Sequence, residues 1–132
     1  MVTGCQTSHA HLTKPETAHA HGRDAKHQAG SPERLRSALS GTANLEVLIS
    51  DVRIPPGAAL PPHYHPGEEF IYVLEGTALH REEGQADRVY EAGEAFVIAP
   101  GRVHSPKAGE GGTRAIVFRV HPKGDPERIL VK

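Results

Sequence analysis

The sequence predicts an all-β domain, an antiparallel sandwich or barrel of seven or eight short strands. Two observations carry this. From Asn44 onward, apolar residues recur with a period of two in short runs, and the runs are separated by Gly, Pro or charged turns rather than by helices. The 14 Gly and 11 Pro among 132 residues supply those turns, and the length suits a single core.

Residues 1–30 have almost no apolar periodicity and are expected to be a disordered, His-rich tail outside the fold. They hold five of the ten histidines, His9, His11, His19, His21 and His27, in a tract whose paired imidazoles can chelate metal weakly. The only cysteine, Cys5, rules out an internal disulfide. Val2-Thr3-Gly4-Cys5 is similar to the box at which bacterial lipoproteins are cleaved and lipidated, but no basic and apolar leader precedes it. Two locations stay open: cytoplasmic for the chain as it stands, or a periplasmic lipoprotein tethered through Cys5 if a signal was trimmed.

Residues 31–132 form the expected domain. Ser31-Pro32-Glu33 is a good helix start, with a hydroxyl N-cap, Pro at the first position and an acid in the first turn. Leu35 and Leu39 then share a face and Gly41 closes the end, so one or two helical turns are expected before the sheet. Strands follow around Leu45 to Ile54, Phe70 to Leu74, Thr77 to Arg81, Arg88 to Tyr90, Ala95 to Ala99 and Arg114 to Val120, with a short last one at Ile129 to Val131.

The 15 basic and 16 acidic residues leave a formal charge of −1, no footprint for nucleic acid or an anionic membrane surface. No apolar run approaches the roughly 20 residues of a spanning helix.

The chemistry concentrates between Gly57 and Gly76. His63 and His65 are two apart, so on a strand both imidazoles leave the same face, and Glu69 has the same parity across a Pro66-Gly67 turn. Glu68, with the opposite parity, is the weaker carboxylate candidate. Two histidines and a carboxylate on adjoining strands make a facial donor set. The fourth donor is expected from His104, which is flanked by turn and strand signals. His80 and His121 are expected to be solvated or capping, and Tyr72, Tyr90, Arg102 and Arg119 are candidate substrate or supporting groups.

These residues resemble the cupin superfamily. Its first motif, G-x5-H-x-H-x3-4-E-x6-G, is matched in full by Gly57, His63, His65, Glu69 and Gly76. Its second, G-x5-P-x-G-x2-H-x3-N, is matched by Gly93, Gly101 and His104, with the Pro displaced to Pro100 and Ala108 at the Asn position. The resemblance implies a double-stranded β-helix, or jelly roll, over about residues 44 to 121. It also implies a menu of dioxygenases, decarboxylases, isomerases and non-catalytic binders, and a homodimer paired through sheet edges.

Three neutral imidazoles and one carboxylate leave a divalent ion near +1, and a six-coordinate ion with two open positions. Iron, manganese, nickel, cobalt, copper and zinc all suit the donors. The expected function is that of a metal-dependent, dioxygenase-like oxidoreductase acting on a small oxygen-rich organic anion. A non-catalytic binding or sensing module is the alternative, and periplasmic metal capture fed by the His-rich tail is a third reading.

Overall fold

The computed structural model describes residues 29–132. The His-rich tail, Cys5 and the lipobox-like stretch therefore lie outside the described residues, as does any test of where the domain begins before Ala29. Eight strands are described: β1 (Glu33–Ala38), β2 (Leu45–Ile54), β3 (His63–Tyr64), β4 (Glu68–His80), β5 (Arg88–Glu91), β6 (Ala95–Ile98), β7 (Lys107–Pro122) and β8 (Ile129–Leu130). One sheet runs β1-β2-β7-β4-β5, with β6 also on β4, and every pairing is antiparallel. The other face is closed by β3 with β8 and by the segment from Gly57 to His63, which exchanges backbone hydrogen bonds with residues 104 to 109.

The period-two pattern explains the core. On β7 the residues Thr113, Ala115, Val117, Arg119 and His121 are buried, while Phe118 faces out. On β4, Glu69, Ile71 and Val73 point in, and Phe70 and Tyr72 point out. Ile71, Ile98, Ala115 and Val117 pack together, with Val52 and Phe96 against them.

The strand pair expected at Phe70 to Leu74 and Thr77 to Arg81 is one long strand bent by two register shifts, between Val73 and Glu75 and between Gly76 and Ala78. Gly76 has φ 72°, and a Cβ there would collide with the carbonyl of Gly112, so the bend needs glycine.

The helix expected from Ser31 to Gly41 is a correction: Glu33–Ala38 is a strand, paired with β2 from Glu33↔Ser50 to Ala38↔Glu46. An isolated helix of two turns is marginal in water. The edge of β2 offers unpaired backbone groups that a strand satisfies and a helix does not.

Candidate metal centre

His63 and His65 flank the end of β3, and Glu69 enters β4 two residues after the Gly67 turn. That turn is tight against β7, since a Cβ on Gly67 would strike Val120 O and His121. His104 approaches from the opposite segment through reciprocal backbone hydrogen bonds with His63, of 3.0 and 2.9 Å. All four side chains are buried.

The three imidazoles present one nitrogen each within 4.8 Å of one another. Glu69 Oε1 lies 2.9 Å from His65 Nε2 and 3.2 Å from His104 Nε2. Second partners set the tautomers. His63 Nδ1 donates to Pro61 O (2.7 Å), His104 Nδ1 to Arg102 O (2.9 Å), and His65 Nδ1 to Glu127 O. A carbonyl only accepts, so each Nδ1 carries a proton and each ring turns its Nε2 away from that carbonyl.

Burial pushes His63 down to about 4, so its ring is neutral near pH 7. Burial alone would raise Glu69. The contacts with His104 and His65 and the charge of Arg119 outweigh it and hold this carboxyl well below its usual range.

The donors fit a metal ion. His65 Nε2 and Glu69 Oε1 are buried and have no hydrogen-bond partner, although they face each other across 2.9 Å. A cation between a ring nitrogen and a carboxylate oxygen so placed satisfies both, and three imidazoles around one carboxylate suit a metal ion. An ion binding N and O at about 2.0–2.2 Å sets neighbouring octahedral donors about 3 Å apart, which matches the spacings of Glu69 to both rings.

Arg119 is the residue that sequence reasoning left among four loose candidates. It stands opposite Glu69 in the β4–β7 register and is buried. Its Nε donates to Glu69 Oε2 (2.9 Å), and its Nη1 donates to Glu127 Oε1 (2.6 Å) and Ser50 Oγ (3.4 Å). It holds one carboxylate oxygen and leaves the other to the histidines. Parity with Val117 on β7 was the available signal. Of the other candidates, Tyr72 is exposed, Tyr90 stacks on Phe96 at 4.0 Å, and Arg102 pairs with Glu82.

His80 and His121, expected to be solvated or capping rather than ligating, stand outside the three-histidine cluster and are paired in the interior rather than solvated. Both are buried, His80 Nε2 on Glu82 Oε2 (2.9 Å) and His121 Nε2 on Glu46 Oε1 (2.8 Å). His80 lies beside the cluster, its ring 6.0 Å from that of His104. Glu68 is exposed, as its parity requires.

A barrel of antiparallel strands with inward histidines at one end defines the class of the protein. The chain belongs to the cupin family, whose cupin domain model matches residues 50–121. It is 25% identical over 97 residues to the tetracenomycin polyketide synthase protein TcmJ of Streptomyces glaucescens. That match covers 73% of this chain and 64% of TcmJ, so the chain spans less than two thirds of that relative's length.

Among solved structures, a cupin-like protein from Thermotoga maritima is similar with a TM-score of 0.60 and 23% identity. The match covers 76% of this chain and 74% of that one, and speaks for the fold. Oxalate oxidase, in complex with the substrate analogue glycolate, is similar with a TM-score of 0.52 and 27% identity, over 67% of this chain and 46% of that one.

Proposed function

We propose that this protein is a metal-dependent oxidoreductase of dioxygenase type, holding one divalent ion on His63, His65, Glu69 and His104 and acting on a small organic anion. The observation that carries the reading is the convergence of three imidazoles, each anchored at Nδ1 by a backbone carbonyl, beside Glu69 Oε1. A divalent ion held there supplies Lewis acidity and, if redox-active, a place for O₂. The protein's own part is to orient the donors through carbonyls and Arg119, and to keep the donors dry among apolar residues. The likeness to oxalate oxidase supports a small anionic substrate.

The test is elemental analysis followed by O₂ uptake over a panel of organic acids and dicarbonyls. About one equivalent of transition metal is expected, with loss of nearly all of it in His63→Ala or His104→Ala. Full metal content in either variant would overturn the ligand assignment. A metal-loaded protein that consumes no O₂ with any substrate, yet is stabilised by one, would replace the enzyme by a binding module.

We also propose a homodimer, now through a sheet face rather than an edge. Leu35, Ile49, Phe118, Phe70 and Val97 stand opposite one another on β1, β2, β7, β4 and β6, making one apolar row across the outside of the sheet. Four of them are exposed large hydrophobics. Light scattering should give twice the chain mass, and Phe70→Glu should give the single mass; a monomeric parent protein would end this reading.

A further inference from the structure

Beyond the cluster, the barrel interior holds a cavity of about 80 Å³. The histidine end contributes His63, Glu69, His104 and Arg119 to its lining. The rest of the wall is dominated by hydrocarbon, with Val52, Ile71, Phe96, Ile98, Ala115 and Val117 prominent.

The polar wall groups away from that end are mostly occupied. Thr113 gives its hydroxyl proton to Thr77 O, and His80 gives its Nε2 proton to Glu82, whose other carboxylate oxygen is held by Arg102. At roughly 10–15 Å³ for each water-sized group, the cavity takes about five to eight non-hydrogen atoms.

From this we infer that the site takes a short α-keto monocarboxylic acid with a branched hydrocarbon body, rather than an acid carrying oxygen throughout. The inference rests on the metal reading above and narrows its substrate. A residual charge near +1 with two open positions asks for a monoanion that offers two oxygens from one end. The wall asks that the other end carry none. A second carboxylate placed against Ile71, Ile98 and Val117 would be desolvated with no donor to meet it, at a cost of roughly tenfold or more in affinity. The expectation of an oxygen-rich ligand is thereby confined to the ligand's head.

The test is calorimetric titration of the manganese-loaded protein with α-ketoisovalerate, pyruvate, oxalate and oxaloacetate, with metal content measured on the same sample. α-Ketoisovalerate should bind at least tenfold more tightly than oxalate or oxaloacetate, and more tightly than pyruvate. Ala115→Leu, which shrinks the cavity, should weaken α-ketoisovalerate about tenfold and leave metal content and pyruvate binding unchanged. Ile98→Val, a milder change that deepens the cavity, should improve binding of the longer α-ketoisocaproate relative to α-ketoisovalerate. Full metal content with oxalate or oxaloacetate bound as tightly as α-ketoisovalerate, or with no acid bound at all, overturns the inference and leaves the metal reading standing. A protein that takes up no metal overturns both.

Discussion

Two layers of one barrel interior differ in kind. Along β7 the inward positions Thr113, Ala115 and Val117 give way to Arg119 and His121; along β4, moving the other way, Val73 and Ile71 give way to Glu69. The first layer is held by close packing among Ile71, Ile98, Ala115 and Val117. The second is held by a charged network in which Glu69, Arg119, Glu127 and Ser50 fix one another. Apolar packing tolerates small changes in shape, because its energy is spread over many weak contacts. A buried ion pair does not, because removing one partner strands the other's charge.

The largest expected effect therefore falls in the polar layer. Arg119→Met leaves the Glu69 carboxylate buried against histidines with no cation, and should destabilise the metal-free protein by about 3–5 kcal/mol. It should also weaken metal affinity by about 10–100-fold, since Glu69 loses the bond that aims it. In the apolar layer, Ile71→Val should cost only about 0.5–1.5 kcal/mol and leave metal content unchanged. Urea denaturation of metal-free protein, with elemental analysis alongside, measures both. Equal costs would mean that the layers are not mechanically distinct.

Acid should act on the polar layer alone. His63 stays neutral down to about 4 when folded but takes a proton near 6.5 when unfolded. Between those values the unfolded chain binds more protons, so stability falls as pH is lowered through this window. Glu69, depressed from 4.5, adds a further loss below that value, where the unfolded carboxyl is protonated and the folded one is not. The urea midpoint of metal-free protein should drop between about pH 6.5 and 4, and His63→Gln should flatten the upper part of that drop. A midpoint constant over that range would sink the assignment of His63 as a buried neutral ring.

The same division decides what could be read from the chain. Burial alternates strictly along β6 and along β7 from Thr113 to Pro122, so the period-two rule places their inward faces. His63, His65 and Glu69 are brought together much as their spacing implied, because two-residue parity survives the Gly67 turn. Parity fails where the backbone bulges. The register shifts after Val73 and Gly76 break the count along β4, so the inward turn of His80 was not legible. His121 was legible, lying two residues beyond Arg119, but Pro122 beside it looked like the end of the strand. Of the partners, Glu46 was not legible, since it lies 75 residues from His121, whereas Glu82 and Glu127 lie only 2 and 8 residues beyond His80 and Arg119 and are brought back by the chain that follows each strand.

β1 is the plainest case of tertiary context overriding a local signal, and it carries the smallest expected effect. Glu33 and Arg36 would pair on a helix at a spacing of three, and they do pair here at 2.9 Å. In the strand, Arg36 also reaches across to Glu46, and Glu46 in turn holds His121 of the polar layer. This exposed contact should be weak and screened by salt. Arg36→Ala should lower the urea midpoint only slightly, less than Ile71→Val, with metal content unchanged. A double-mutant cycle with Glu46→Gln should nonetheless give a coupling that fades in concentrated salt, because the two side chains meet only if Glu33–Ala38 lies along β2. No coupling at low salt would mean that this segment is not docked as an edge strand, and that the helical signals of Ser31-Pro32-Glu33 prevail in solution.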